Sequence, residues 1–349
     1  MKLIIAGGGT GGHLYPGIAV AERLKASGVP ILFLVSDRGI EKEVLSKLGY
    51  DFVEQKVSAF AGERMLGKVK ALSKLVKQSH KVSGHIKKGD KLLVLGGFAG
   101  APAAMAGILK RNEVYIHESN SVMGTLNRWL SSQAAYVFTA YSQTLYAPSR
   151  AVCVGNPVRR DFLGIGENLE KGKNILVIGG SNGARIINQT MAKAAKALLD
   201  DGYIITHQTG KNLEDETTAL YKSELGELDE RLKILPFIDD MAAEFKKADM
   251  LVARAGSGTL FEAMHAKRPG IYIPFAASAR NHQFYNAKYM ADSGFGKVLT
   301  EDKFSADTLR KEIEKMYIEI PNYGLNFANL RLEDSAAKMI KLMGLEASG

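Results

Sequence analysis

The sequence predicts an α/β protein built from two doubly wound, Rossmann-like domains in tandem. Three observations carry this reading. Short apolar runs alternate with longer segments of helical apolar spacing. A strand, a glycine-rich loop and a helix open each half of the chain. The length of 349 residues is that of two ordinary domains at roughly 100–200 residues each.

Taken in order, Lys2–Ala6 is a short apolar run that stops on glycines, and Ile18–Leu24 carries apolar residues at helical spacing. Ile31–Val35, Lys91–Leu95, Val114–His117 and Tyr136–Thr139 are further strand-like runs with helical stretches between them. The series restarts at Asn174–Ile178, which runs into Gly179-Gly180-Ser181-Asn182-Gly183 and a helix predicted over Ala184–Leu199. Tyr203–Thr206, Leu232–Leu235, Met250–Ala253 and Gly270–Ile273 follow as strands. Gly155-Asn156-Pro157 breaks regular structure, so the boundary is expected there, with domains over 1–157 and 158–329. The tail Leu330–Leu345 has helical spacing and is expected to pack back on the first domain.

Composition is that of a globular protein, with 46% hydrophobic and 24% charged residues. No stretch of 18 apolar residues occurs, and the first apolar run is too short for a signal segment, so a bilayer span is excluded and a cytoplasmic location expected. The single cysteine, Cys153, excludes an internal disulfide framework; its small apolar neighbours predict a buried thiol. Charge is uneven. Residues 1–160 hold 22 Lys+Arg and 10 Asp+Glu, a balance of +12 within a chain total of +9. That asymmetry suggests a negatively charged partner for the first half: nucleic acid, anionic lipid or a phosphorylated acceptor.

The motifs sit where strands meet helices. Gly7-Gly8-Gly9-Thr10-Gly11-Gly12-His13 lets backbone N–H groups and a helix N-terminus approach an anion. Gly7, Gly9 and Gly12 also match the dinucleotide fingerprint, with Asp37 as its acid, which keeps a nicotinamide enzyme open. His13 at the helix start is favoured as a neutral imidazole and is a candidate general base; the plainer reading is a capping residue. Gly96-Gly97-Phe98-Ala99-Gly100 is a second backbone cradle or a close-packing seam. His117-Glu118-Ser119-Asn120 places four polar residues at a strand's carboxyl end, where α/β proteins bind ligands.

The second half repeats the arrangement. Gly179–Arg185 aims another helix N-terminus at an anion. Arg254-Ala255-Gly256-Ser257-Gly258-Thr259 opens a helix carrying Glu262, a carboxylate suited to ribose hydroxyls. Asn281, His282, Gln283 and Asn286 offer groups for sugar hydroxyls or an acetamido group. No Cys/His cluster and no D-x-D triplet occurs, so neither metal nor cofactor is expected.

Together, GGGTGGHLYP at 7–16, GGFAG at 96–100, HESN at 117–120, GNPVR at 155–159, GGSNGAR at 179–185, FIDDM at 237–241 and the segment 254–262 closely resemble the MurG family of bacterial glycosyltransferases. The motifs stand in the family's order across nearly the whole chain. The resemblance implies a GT-B fold, two Rossmann-like domains facing across a cleft. It implies inverting, metal-independent transfer of GlcNAc from UDP-GlcNAc to the MurNAc C4 hydroxyl of lipid I, giving lipid II. Thr10, Gly11, Gly12, Asn120, Arg159, Ser181, Ile238, Gly258, Thr259, Leu260, Glu262 and Gln283 would hold the donor, with Ile238 at the uracil and Glu262 at the ribose. Gly9, Thr10, Gly97, Phe98 and Gly100 would face the acceptor diphosphate. His13 would be the base, and Glu118 would orient it or share the role.

Ser119, Asn182 and His282 depart from the family's familiar glutamines. From Arg64 to Lys91 nine basic residues stand against one acid, with Leu66, Val69, Leu72 and Val76 among them at helical spacing. Such a helix suits an anionic membrane surface, so a peripheral place at the cytoplasmic face of the bacterial plasma membrane is expected, with no nucleic-acid partner. A different GT-B enzyme, such as a diacylglycerol glycosyltransferase or UDP-GlcNAc 2-epimerase, and a non-catalytic nucleotide-binding module remain the alternatives.

Overall fold

Each apolar run singled out above forms a strand in the computed structural model, which describes residues 1–8, 11–37, 41–56, 65–166 and 172–345. The side chains of Gly11, residues 65–72 and Phe98 lie outside the described set. In chain order the elements are β1 (Leu3–Ala6), α1 (Gly11–Leu24), β2 (Ile31–Ser36), α2 (Glu41–Leu48), β3 (Phe52–Gln55), α3 (Met65–Ser83), β4 (Lys91–Val94), α4 (Gly97–Leu109), β5 (Glu113–Glu118), α5 (Thr125–Leu130), β6 (Tyr136–Thr139) and β7 (Val152–Cys153). The second series is β8 (Asn174–Ile178), α6 (Arg185–Asp200), β9 (Ile204–Gln208), α7 (Glu214–Leu225), β10 (Leu232–Leu235), α8 (Met241–Lys247), β11 (Met250–Arg254), α9 (Ser257–Ala266), β12 (Gly270–Ile273), α10 (His282–Asp292), β13 (Gly296–Val298) and α11 (Ala306–Asn329), and α12 (Ser335–Leu342) is the last element among the described residues.

Two compact units result, Met1–Arg160 with Glu333–Gly349, and Asp161–Leu332. Among the described residues the first holds a seven-stranded sheet in the order β3-β2-β1-β4-β5-β6-β7, and the second a six-stranded sheet in the order β10-β9-β8-β11-β12-β13. Every pairing is parallel. Strands buried on both faces explain why β1 and β8 read as continuous apolar runs rather than alternating ones.

The core of the first unit lies on both sides of its sheet. On one face Leu3, Ile5, Phe33 and Leu93 pack against Leu14 and Ile18 of α1 and Met339 and Ile340 of α12. On the other, Ile4, Leu92, Val94 and Val114 meet Ala103, Ala104 and Ala106 of α4. The small residues of α4 let it approach closely: a Cβ on Gly107 would lie 2.7 Å from Leu92 Cδ2.

The tail differs from a single helix over Leu330–Leu345. α11 stops at Asn329, and α12 begins only at Ser335. Asp334 sets the new start, because its Oδ1 accepts the N–H groups of Ala336 and Ala337 at 3.1 and 3.2 Å. Its Oδ2 accepts from Arg23 Nε of α1 at 2.6 Å, so the same carboxylate caps α12 and ties it to the first unit. Cys153 also differs from expectation: it is exposed. β7 is a two-residue edge strand bonded to β6 alone, and an edge leaves alternate side chains facing outward.

The second unit carries a buried polar chain. Asn188 Nδ2 donates to Thr209 O at 3.1 Å and Thr217 Oγ1 at 2.9 Å, and Asn188 Oδ1 lies 3.1 Å from His207 Nε2. Nε2–H must then donate to that carbonyl, leaving His207 Nδ1 to accept from Tyr221 Oη at 2.7 Å. Burial lowers the His207 pKa to about 3 and raises that of Tyr221, so both stay neutral.

Because the folded-state pKa of His207 lies below its unfolded value near 6.5, the unfolded chain binds the extra proton as pH falls. The second unit should therefore lose stability from pH 6.5 downward, by up to about 1.4 kcal/mol per pH unit until pH approaches 3. Chemical denaturation between pH 6.5 and 4.5 should show this slope in the parent and its loss in His207→Gln.

Candidate active site

In a doubly wound sheet, ligands bind beyond the carboxyl ends of the strands, at the point where the strand order reverses. In the first unit that point lies between β1 and β4, in the second between β8 and β11. The four glycine-bearing loops singled out in the sequence follow these four strands.

In the first unit His13 is the third residue of α1, and its ring lies along bare backbone. A Cβ on Gly96 would stand 3.4 Å from His13 Nε2, and one on Gly97 would stand 3.7 Å from His13 Cε1 and 3.0 Å from Gly8 O. Both glycines have positive φ, +87° and +68°. The two loops thus come close together, with the imidazole beside the Gly96 and Gly97 backbone and the Asn127 side-chain nitrogen 3.3 Å from where a Gly96 Cβ would stand. Gly100 behaves differently. A Cβ there would lie 2.8 Å from Val94 Cγ1, so it belongs to the helix–sheet seam rather than to a cradle. Gly12 is exposed at the start of α1; Gly9 and Thr10 lie outside the described residues, as do the side chain of Phe98 and that of Gly11.

The end of β5 organises the neighbouring loop. Glu118 is buried, and its Oε1 accepts the backbone and side-chain N–H of Asn120 at 3.0 and 3.3 Å. Oε2 accepts Gly124 N–H at 2.9 Å and Asn127 Nδ2–H at 2.8 Å. Four donors on one carboxylate make Glu118 the brace of residues 120–127. His117 is fully buried; its Nε2–H donates to Gly155 O at 3.0 Å, and its Nδ1 accepts from Ser119 Oγ at 3.4 Å. Burial lowers its pKa, opposed by the Gly155 carbonyl and the Glu118 charge and reinforced by the nearby His13. Arg159 belongs to the first unit and lays its guanidinium over the Tyr15 ring of α1, 5.1 Å from the centroid.

In the second unit a tight turn from Gly180 to Gly183, closed by a 2.9 Å backbone bond, precedes α6 and carries the partly exposed Ser181. Gly179 and Gly183 are required by close approach: a Cβ on Gly179 would lie 2.5 Å from Ala184 N, and one on Gly183 would overlap Thr209 O. α9 opens with Gly256 as its N-cap, and around both Gly256 and Gly258 nothing lies within 4 Å of a built Cβ. Thr259 and Glu262 are partly exposed on α9, whereas Leu260 is fully buried and Ile238 nearly so. Leu260 and Ile238 therefore offer a ligand backbone, not side chain. Gln283 uses its Oε1 to accept Phe275 N–H at 3.0 Å, which leaves its amide N–H as the group it presents. Arg254 ends β11 in an ion pair with Glu301 at 2.6 Å and stacks on Phe275, 5.3 Å from the ring centroid.

Sequence reasoning passed over several residues at these edges. Glu41 is buried so close to Gly8 that a Cβ there would lie 2.8 Å from its Oε1, while Ser36 Oγ donates to it at 3.3 Å. Among the described residues four fully buried amides leave at least one polar atom without a hydrogen-bond partner: Gln55, Asn127, Asn156 and Gln208. Each ends a strand or lies in the segment that follows one. Buried polar groups are normally paired, so each of these four amides carries an atom that the protein itself leaves unmatched. No periodicity or motif signals such residues. Among the described residues no group of three or more His, Cys, Asp or Glu converges as a metal-binding cluster.

Comparison with known proteins gives this geometry a context. The N-terminal domain of glycosyltransferase family 28 matches residues 3–139, and the family's C-terminal domain matches residues 174–340. The chain is 37% identical, over 331 residues and 90% of each chain, to the UDP-N-acetylglucosamine–N-acetylmuramyl-(pentapeptide) pyrophosphoryl-undecaprenol N-acetylglucosamine transferase of Geobacter sulfurreducens. It is similar to the crystal structure of Acinetobacter baumannii MurG, with a TM-score of 0.75, 26% identity and 99% of each chain covered. The UDP-GlcNAc 2-epimerase of Neisseria meningitidis bound to UDP-GlcNAc gives a TM-score of 0.65 at 13% identity, covering 99% of this chain and 100% of that one, a likeness of fold alone.

The turn of the second unit can be tested by two alanine substitutions. Gly183→Ala faces both positive φ and the Thr209 carbonyl and should destabilise by about 3 kcal/mol or more, with loss of UDP-GlcNAc binding. Gly180→Ala shares the positive φ but meets open space, and should cost about 1 kcal/mol. Thermal unfolding and donor titration of both variants check the difference.

Proposed function

The chain belongs to glycosyltransferase family 28, among the MurG-type enzymes, and from that premise we propose that it transfers GlcNAc from UDP-GlcNAc to the MurNAc C4 hydroxyl of lipid I, forming lipid II. The observation that carries this reading is identity of 37% over nine tenths of both chains with an enzyme named for that transfer.

The first unit supplies the acceptor side. His13 accepts the proton of the C4 hydroxyl as that oxygen attacks the anomeric carbon of GlcNAc from the face opposite UDP. Its ring is suited to this because it lies beside the glycine backbone at Gly96 and Gly97, which carries no side chain of its own to obstruct an acceptor. Glu118 acts by holding Asn120 and Asn127 in place: its two oxygens already accept four N–H groups, which favours a bracing role over proton transfer. Gly97 and the glycines before α1 face the acceptor diphosphate with backbone N–H groups.

The second unit supplies the donor side. The Gly180–Gly183 turn with Ser181, and the open N-terminus of α9 at Gly256 and Gly258, present N–H groups and helix-dipole charge to the diphosphate. Glu262 takes the ribose hydroxyls, the backbone at Ile238 the uracil, and the Gln283 amide the sugar. As the bond from the anomeric carbon to the diphosphate oxygen breaks, charge grows on UDP; these N–H groups and Arg159 stabilise it. The anomeric configuration inverts, and the hydroxyl proton leaves on His13.

The lipid-linked acceptor places the reaction at the cytoplasmic face of the membrane. No described helix is long and apolar enough to cross one. Lys74, Lys77 and Lys81 of α3 are exposed and follow one another at helical spacing, a basic face that suits peripheral contact with anionic lipid. The side chains of Leu66, Lys68, Val69, Lys70 and Leu72 lie outside the described residues.

Transfer of labelled GlcNAc to a soluble lipid I analogue with EDTA present tests the reading. Product is expected from the parent. His13→Ala should lower kcat by about 10²–10⁴-fold with UDP-GlcNAc affinity unchanged. Turnover near the parental rate would remove His13 as the base, and consumption of UDP-GlcNAc without acceptor would point to epimerisation instead.

A further inference from the structure

An ion pair joins the strand ends of the second unit. Arg254 is the last residue of β11, and its Nη1 stands 2.6 Å from Glu301 Oε1. The same Nη1 donates to Ile273 O at the end of β12, 3.2 Å away. Glu301 lies just beyond β13, and its other oxygen, Oε2, accepts Ala276 N–H at 3.4 Å. Two side chains therefore tie three neighbouring strands, β11, β12 and β13, to the loop that follows β12. These side chains are 13% and 22% exposed, so solvent screens the pair less than one on the open surface.

That loop has a strained backbone. Arg280 and Asn281 both have φ +55°, although neither is glycine. Such a conformation persists where its surroundings over-determine it, and it gathers where ligands are clamped. Here two successive N–H groups pin the start of the loop. Phe275 N–H donates to Gln283 Oε1 at 3.0 Å, and Ala276 N–H donates to Glu301 Oε2. The Phe275 ring also lies against the Arg254 guanidinium. Farther along, Ser278 Oγ accepts Gln283 N–H at 3.4 Å. Gln283 and the loop thus fix one another, and Glu301 with Arg254 fixes the loop.

We propose that Glu301 is a positioning residue for recognition of the donor's sugar: paired with Arg254, it holds the loop 275–281 so that the Gln283 amide keeps one orientation. Glu301 acts through the loop and meets no substrate. This deepens the reading of Gln283 as the group that takes the sugar, and rests on it. In that reading Ser181, Ile238 and Glu262 hold the nucleotide, so loss of the brace is felt by the sugar and not by UDP.

Calorimetric Kd values for UDP and for UDP-GlcNAc test the assignment in the parent, Glu301→Ala, Gln283→Ala and the double variant. Glu301→Gln, similar in volume and uncharged, takes the place of Glu301→Ala if that variant fails to fold. UDP should bind all four proteins alike. UDP-GlcNAc should bind Glu301→Ala about fivefold more weakly, the loss of roughly one hydrogen bond. Added to Gln283→Ala, the same change should have almost no further effect, because both act through one amide. Equal weakening of UDP and UDP-GlcNAc would overturn the assignment, since a brace of the whole unit behaves that way. So would parental UDP-GlcNAc affinity in Glu301→Ala, or losses that multiply in the double variant. If Gln283→Ala itself keeps parental affinity, the placement of the sugar at Gln283 fails and this assignment falls with it. A loss in Gln283→Ala with none in Glu301→Ala removes this assignment alone.

Discussion

In a parallel sheet every strand ends on the same edge, and every following helix presents its N-terminus there. Both sheets of this protein obey that constraint without exception among the described strands. It gathers the glycine loops after β1, β4, β8 and β11, the polar end of β5 and the segment after β7 onto the loop edges of their units. It also explains the chemistry those edges offer, which is backbone N–H groups and helix dipole more than charged side chains. An anionic substrate can be held this way with few cations, and the N-termini of α1 and α9 are lined by glycine rather than lysine.

The two units satisfy their buried polar groups differently according to place. Deep in the second unit, Asn188, His207, Thr217 and Tyr221 form a chain in which each named contact has donor matched to acceptor. At the loop edges, by contrast, Gln55, Asn127, Asn156 and Gln208 each keep an unmatched atom. A paired network of this kind rigidifies the fold, whereas the edge amides leave part of their hydrogen-bonding capacity unmatched by the protein. Glu118 joins the two situations. Its four accepted hydrogen bonds shape the 120–127 loop, and one of its partners, Asn127, retains an orphaned Oδ1.

The fold was largely legible in the sequence because strands buried on both faces leave continuous apolar runs, and glycine marks where they end. What escaped was at the margins. β3, β7 and β13 are short outer strands, with little apolar density to announce them. The outward turn of Cys153 and the break at Leu330–Asp334 depend on an edge and on a carboxylate cap, both tertiary facts. At the site, motif residues such as His13, Glu118 and Gly183 were visible by type and spacing. Their physical roles were not: that Glu118 braces a loop, that Gly100 serves packing and that Leu260 and Ile238 turn their side chains inward follow only from neighbours far away in sequence. Asn156 lay inside a recognised motif, but its missing partners have no sequence signature.

The central claim is that the loop edge of the second sheet binds the nucleotide sugar. Hydrogen exchange with and without UDP-GlcNAc tests it most directly, because the claim concerns backbone N–H groups. Protection should appear in residues 180–186 and 256–262 and around Ile238, all beyond strand carboxyl ends. The opposite edge offers a shallow cavity of about 250 Å³ lined by Asn174, Ile204, Arg231 and Lys247. Protection confined to that edge, with the glycine loops unchanged, would contradict the account.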